Sequence, residues 1–388
     1  MCGGTQPSAG VADNPDMSEP TQPIDAQEVR ARRWAAQVPG LAGGMVRRLL
    51  QRYGSVHTAL GADVRELVAL LGPRVGSQLA DREGLRARWL ACARALEELE
   101  ASSVVWGEAE YPEGLNDLTP PPPVVYLRGQ LPPGRGVAIV GTRKTSRAAC
   151  DVALRLAANL ADAGRFVVSG GAYGIDGAAH TGALDAGGAT VVVFGGGLDR
   201  PYPDRHIALF ERAARQGSLL SAFRPGTPPL RGGFLARNAI IAALSDAVVV
   251  VDAGWRSGAR STALAARRLG RPVCVVPGSP GCDRLLAEGA TSVRRGTDVL
   301  GLLSGQLPAP GSGGDRDSCS PAFLPDGEAT DLAVLVALDR AGSTAESVAL
   351  RTGFATGQVL AVLMAMVLDG RVAQRPGGLF FRTTSPEQ

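Results

Sequence analysis

Short apolar runs punctuate the middle of the chain at residues 137–140, 166–168, 190–194, 218–220, 247–251 and 273–276, and apolar residues at helical spacing fill the intervals. A run that is apolar at every position is the pattern of a strand buried on both faces, as in a parallel sheet covered by helices. Strands alternating with helices predict an α/β fold: an extended Rossmann-like, doubly wound, mostly parallel sheet.

The flanks read differently. Residues 26–105 are patterned as helices. Val38–Gly44 leads into apolar-periodic Met45–Leu50, a second cluster at Val64–Leu71 stops at Gly72-Pro73, and an arginine/glutamate-rich helix follows at about residues 78–101. Short helices around a Gly-containing turn resemble a helix-hairpin-helix or SAM-like module; a small packing domain leaves the same pattern. The proline run Pro120–Pro123 predicts a stiff boundary.

Past the central block, residues 305–328 are rich in Gly, Ser, Pro and Asp and read as a flexible linker. Leu332–Leu338 and Thr356–Leu368 predict helices, and Ser343-Thr344-Ala345-Glu346 is a capping-box pattern that opens another between them. Asp369–Arg382 predicts a hairpin around Pro376-Gly377-Gly378. Three helices and a hairpin make a winged helix. Its third helix is apolar at Val359, Leu360, Val362, Leu363, Met364, Met366, Val367 and Leu368, whereas base readout needs polar groups on the outer face. Packing against protein is the favoured reading. The predicted division is a disordered tail at 1–25, a helical domain at 26–104, a Rossmann-like domain at 105–304, a linker at 305–328 and a winged helix at 329–384.

The chain's 388 residues suffice for two or three domains, and 45% hydrophobic with 20% charged residues is globular composition. A net charge of +3 does not mark a general polyanion binder, so nucleic-acid contact requires a local basic patch. Lys144 is the single lysine among 40 basic residues. The six cysteines form no CxxC and no Cys/His zinc spacing, which suits a reducing cytoplasm and no metal. The polar residues 1–25 lack the apolar core of a signal peptide, and no run is long enough to predict a membrane span.

Candidate chemistry gathers at the ends of the predicted strands. Gly141-Thr142-Arg143-Lys144-Thr145-Ser146 follows the first. Arg143 suits a bidentate phosphate contact, Thr142 and Ser146 offer hydroxyls, and Ser146 can also cap the next helix. Ser169-Gly170-Gly171-Ala172-Tyr173-Gly174 follows the second, with small residues that admit close backbone approach. It is no GxGxxG, and no ribose-binding acid stands at the Rossmann spacing, so no dinucleotide cofactor is expected. Asp176 and His180, four residues apart, would share a helix face as an acid/base pair, but a helix-start carboxylate and a hydrogen-bonded histidine fit better. Gly195–Gly197 and Tyr202 follow the third strand. Arg231–Asn238 adds Phe234 as a stacking face, Arg237 as a phosphate contact and Asn238 as a hydrogen-bonding group, a combination suited to single-stranded nucleic acid. Ser257–Thr262 brings another small-residue loop with Arg256 and Arg260.

The series Ile139–Arg143, Ser169–His180, Tyr202-Pro203, Phe234–Asn238, Ser257–Thr262 and Val276–Gly278, in that order, strongly resembles the DNA-processing protein A family, DprA or Smf. The resemblance covers roughly 105–304, and both flanking regions suit it. It implies a non-enzymatic homodimer without cofactor that binds single-stranded DNA, protects it and loads RecA recombinase onto it in natural transformation and recombination, and the cysteine pattern sets it in the cytoplasm. The resemblance implies DNA contact by Arg143, Gly170, Gly171, Phe234, Arg237 and Asn238, and the reading of the loops adds Gly141, Thr142, Lys144, Ser146, Ser169, Gly174 and Arg260 as candidate DNA-binding residues. Two positions depart from the family pattern: Ala239 replaces an arginine after Arg237-Asn238, and Ala222 replaces a glutamate after Ser221. A nucleotide phosphoribohydrolase resembles the Ser257–Thr262 loop but needs a nearby glutamate; Ala265 stands there and cannot act as acid or base. A mononucleotide sensor is the third reading.

Overall fold

The computed structural model describes residues 24–306 other than Arg256, together with 334, 338, 342–352, 356–368, 372–375 and 378–382. The expected tail up to residue 23 and the linker from 307 to 328 lie outside these residues, as does Arg256.

The front of the chain folds as α1 (Ala26–Ala35), α2 (Gly43–Tyr53), α3 (Val56–Ala59), α4 (Val64–Leu71), α5 (Pro73–Ala80) and α6 (Arg82–Glu98). Asp25, Ser55, Asp63 and Asp81 each cap a helix start by accepting a backbone N–H. Gly72 ends α4 and Pro73 opens α5, so the expected long helix divides at Asp81, which caps its second part. Leu49, Leu67, Leu79 and Leu85 form the shared core.

The sheet comprises β1 (Ala101–Val105), β2 (Val124–Gly129), β3 (Gly136–Gly141), β4 (Val167–Ser169), β5 (Thr190–Phe194), β6 (Ser218–Ser221), β7 (Ser245–Asp252), β8 (Val273–Val275) and β9 (Thr291–Ser292), in the order β1-β2-β6-β5-β4-β3-β7-β8-β9. The strands from β6 across to β9 run parallel; β1 and β2 are antiparallel to their neighbours. The proline run therefore does not separate domains. It lies in the connection that turns the chain from β1 back into β2, whose register sets Val105 opposite Val124.

Helices α7 (Arg147–Asp162), α8 (Ile175–Asp185) and α13 (Gly296–Leu303) cover one face, and α10 (Arg231–Ala243), α11 (Ala259–Arg268) and α12 (Pro280–Ala287) the other. Helix α9 (Ile207–Gln216) covers β5 and β6 with α6 and part of α8. In β3, Val137 and Ile139 pack to the first face while Ala138 and Val140 pack to the second. Burial on both sides explains the unbroken apolar runs. From β3 the chain winds outward through β4, β5 and β6, then returns to place β7 on its other side. Open α/β sheets take ligands in the crevice beyond the carboxyl ends of the strands at such a reversal.

The last region contains α14 (Ala345–Thr352), α15 (Thr356–Leu368) and an antiparallel pair, β10 (Val372–Arg375) and β11 (Leu379–Arg382). Thr344 rather than Ser343 caps α14, its Oγ1 accepting from Ser347 N at 3.2 Å. The Ser343 backbone instead bridges to Phe380. Val359, Leu363 and Met366 of α15 are buried in this unit's own core with Val348 and Phe380, which accounts for that helix's apolar sequence. The expected Leu332–Leu338 helix falls outside the described residues except for Val334 and Leu338, both buried.

Candidate functional site

The loop after β3 is fixed from beneath. Gly141 has no room for a side chain, because a Cβ there would overlap Ile175 Cγ1. Thr142 N donates to Asp252 O at 2.8 Å, and Thr145 Oγ1 donates to the Asp252 carboxylate at 2.6 Å. Ser146 caps α7, its Oγ accepting from Ala149 N at 3.2 Å. Arg143, Lys144 and Ser146 remain exposed at the rim. Asp252, the last residue of β7, thus joins the two strands that flank the reversal in the sheet. No periodicity singles it out in the sequence.

The loop after β4 turns inward. Ser169 is fully buried and donates to Ile139 O at 2.6 Å. Gly170 and Gly171 are buried as well. A Cβ on Gly170 would overlap the Arg237 guanidinium, and one on Gly171 would stand 2.7 Å from Phe210 Cε1. Gly174, at φ +77°, opens α8 where a Cβ would strike Thr142 O. The glycines leave space, but protein groups fill the space at 170 and 171.

Arg237 and Asn238, expected at the ligand, are only 5% and 9% exposed. Arg237 Nη1 donates to Val193 O at 3.0 Å, and its Nη2 stands 3.9 Å from Asp176 Oδ2. Burial raises the Asp176 carboxyl above its ordinary pKa, against the pull of Arg237, and the same burial lowers that of Arg237. Asn238 Nδ2 donates to Ser261 Oγ at 2.5 Å and ties α10 to the start of α11. The sequence named the right elements but not the inward direction of these two side chains.

Asp176 and His180 do not pair. Asp176 accepts from Ala172 N at 3.4 Å, whereas His180 Nδ1 meets Thr190 Oγ1 at 2.7 Å. The Thr190 proton goes to Val167 O at 2.9 Å, so His180 Nδ1 is the donor. Burial drives the imidazole pKa down to about 3 and keeps the ring neutral. Neither group is poised for proton transfer.

Phe234 is where the two ligand-facing elements meet. The Arg143 guanidinium lies 5.1 Å from its ring centroid and that of Arg237 5.8 Å, with the Tyr202 ring at 5.9 Å. Gly195 after β5 and Gly233 in α10 admit this arrangement, since a Cβ on Gly195 would stand 2.9 Å from Phe234 Cδ1 and one on Gly233 would overlap Gly195 O. Arg260 lies apart, beyond β7, with Nη1 donating to Trp255 O at 3.2 Å and Nη2 3.4 Å from Glu288. Among the described residues, no group of His, Cys, Asp or Glu could hold a metal, and no helix is long and apolar enough to cross a membrane. The rim is therefore cationic and aromatic: Arg143, Lys144 and Ser146 exposed, with Phe234 half-buried beside them.

A family model described as DNA recombination-mediator protein A matches residues 102–304, and one described as DprA winged helix domain matches residues 320–378. A Mycobacterium tuberculosis protein of the DprA kind is 43% identical over 255 residues, and that match spans 63% of this chain and 63% of its own length. The Smf protein of Synechocystis is 34% identical over 311 residues, 70% of this chain and 77% of its own. The X-ray structure of DNA processing protein A from Streptococcus pneumoniae matches with a TM-score of 0.57 at 29% identity, covering 72% of this chain and 98% of that one.

Proposed function

The chain belongs to the DNA recombination-mediator protein A family, and from that membership we propose that it binds single-stranded DNA along the carboxyl edge of its sheet and delivers it to RecA recombinase. One observation carries the DNA-binding part: the exposed Arg143 guanidinium stands 5.1 Å over Phe234, with Lys144 beside it, at the reversal of the sheet. A strand without sequence preference needs cations for its phosphates and aromatic faces for its bases, and this rim offers both. Arg143 and Lys144 take phosphates, Thr142, Ser146 and Gly174 line the loop mouths, and Phe234 faces a base. Gly141, Ser169, Gly170, Gly171, Arg237 and Asn238 act from beneath by holding these groups in place. Arg260 extends the basic rim past β7.

The protein acts by binding and not by catalysis. Asp176 and His180 are buried and bonded to other partners, and Ala265 supplies no acid where a phosphoribohydrolase would need one. Delivery to RecA in natural transformation and assembly as a homodimer rest on the family likeness, and a cytoplasmic setting on the cysteine pattern. The division into a front helical region, a Rossmann-like domain up to residue 304 and a winged helix at 329–384 belongs to the same reading, with the first limit moved from 104/105 to before β1 at Ala101 and the winged helix as a packing unit and not a base reader.

The test is a titration of fluorescent oligonucleotides of several sequences, with mononucleotide as competitor. Similar submicromolar affinities that fall with salt, and no displacement by mononucleotide, are the expected result. Saturable mononucleotide binding without oligonucleotide binding overturns the reading.

A further inference from the structure

Trp255 is the largest side chain left open at the sheet's carboxyl edge. It is 61% exposed, although an indole is among the costliest groups to leave in water. It follows β7 directly, on the far side of the reversal from Phe234. Asp252, three residues earlier, accepts from Thr145 of the Arg143 loop, so Trp255 lies at most about 11 Å of chain from that anchor.

Its surroundings hold the ring in place without covering it. The Arg284 guanidinium sits 5.5 Å from the ring centroid, and Arg260 Nη1 donates to the Trp255 carbonyl at 3.2 Å. Arg260, Arg267 and Arg284 converge on one carboxylate, Glu288, at 3.4, 3.1 and 2.8 Å. Asp283, also on α12, accepts from Gly278 N at 3.1 Å. Three guanidiniums against the Glu288 and Asp283 carboxylates leave a net positive charge beside an exposed aromatic, with Arg284 the one set over its ring. A polyanion with π faces matches that chemistry better than an apolar protein surface does.

We propose that Trp255 is a second stacking platform for single-stranded DNA, one that takes a base beyond those held at Phe234 and carries the strand across β7 toward Arg260 and Arg284. The proposal rests on the reading that the Arg143 rim binds DNA. It adds a length requirement: a short oligonucleotide reaches only the Phe234 side, and a longer one reaches both aromatics.

The test uses the full chain and oligo-dT of graded length, from about 4 to about 24 nucleotides. Binding is followed by anisotropy of labelled DNA and separately by tryptophan emission. The other tryptophans, Trp34, Trp89 and Trp106, belong to the front helices or to the segment just after β1. Short oligonucleotides should bind without quenching, and quenching should set in above a threshold length. Trp255→Ala should abolish the quenching and weaken only the longer oligonucleotides, by about fivefold or more. Trp255→Phe should restore their affinity without the optical signal. Equal affinity of wild type and Trp255→Ala at every length, or quenching that survives in Trp255→Ala, overturns the proposal while leaving the Arg143 rim intact. Absence of oligonucleotide binding by the wild type overturns both.

Discussion

Gly170 and Arg237 share one volume: a side chain on residue 170 would occupy the place of the Arg237 guanidinium. The glycine after β4 therefore serves a buried arginine, which in turn lies beneath Phe234 at 5.8 Å.

Gly170→Ala should displace that guanidinium from Val193 O and Asp176. Overpacking together with an uncompensated buried charge predicts a loss of about 2 kcal/mol or more in urea unfolding. The double variant with Arg237→Ala should be no less stable than Arg237→Ala alone. Additive losses would mean that the two residues do not compete for space.

Arg143 is exposed, so its replacement should leave the fold intact and act on the ligand. Arg143→Ala should weaken all oligonucleotides alike. It should also make the slope of log affinity against log salt shallower by about 0.7, the loss of one phosphate contact on a single strand. An unchanged slope would remove Arg143 from the phosphate path.

Ser169 gives the opposite expectation. Its hydroxyl is buried on Ile139 O. Ser169→Ala should cost about 1 kcal/mol of stability and leave DNA affinity within about twofold. A large loss of affinity with little loss of stability would place the hydroxyl at the ligand instead.

His180 should make the fold sensitive to mild acid. Its pKa is pushed down from 6.5 to about 3, by burial first and by His206 and Arg237 to a lesser degree. An unfolded chain protonates this ring below about 6.5, while the folded chain does not until near pH 3. Between those values the unfolded state binds the extra proton, so stability falls as pH falls, by about 2 kcal/mol from pH 7 to pH 5. The same drop in pH should cost His180→Gln about 2 kcal/mol less than it costs the wild type. Asp176, held above its ordinary value by burial, contributes the opposite slope but is present in both proteins. Parallel urea titrations at the two pH values measure the difference.

The parallel core was legible because each of its longer strands is apolar throughout, and both faces of the sheet are in fact covered. Strand β1 was not, since Ala101-Ser102-Ser103 carries no apolar run and its partner β2 lies just after four prolines. Of the candidate site, the loops were legible from their glycines and charges. The direction of each side chain was not, because it depends on contacts distant in sequence. Arg237 reaches Val193, 44 residues away, and Thr145 reaches Asp252, 107 residues away. Trp255 stood in plain view in the sequence, but nothing local separates an exposed indole from a packed one.

The position of β1 bears on where the chain can be cut. Arg32 and Arg33 of α1 reach across to Trp106 O and Ser103 O, so the front helices grip the same segment that forms the sheet's outermost strand. A truncation begun at residue 105 discards that strand and bares the backbone of β2 from Val124 to Arg128. An open edge of that length invites strand-to-strand pairing between chains, and such a fragment should precipitate where the intact protein stays in solution.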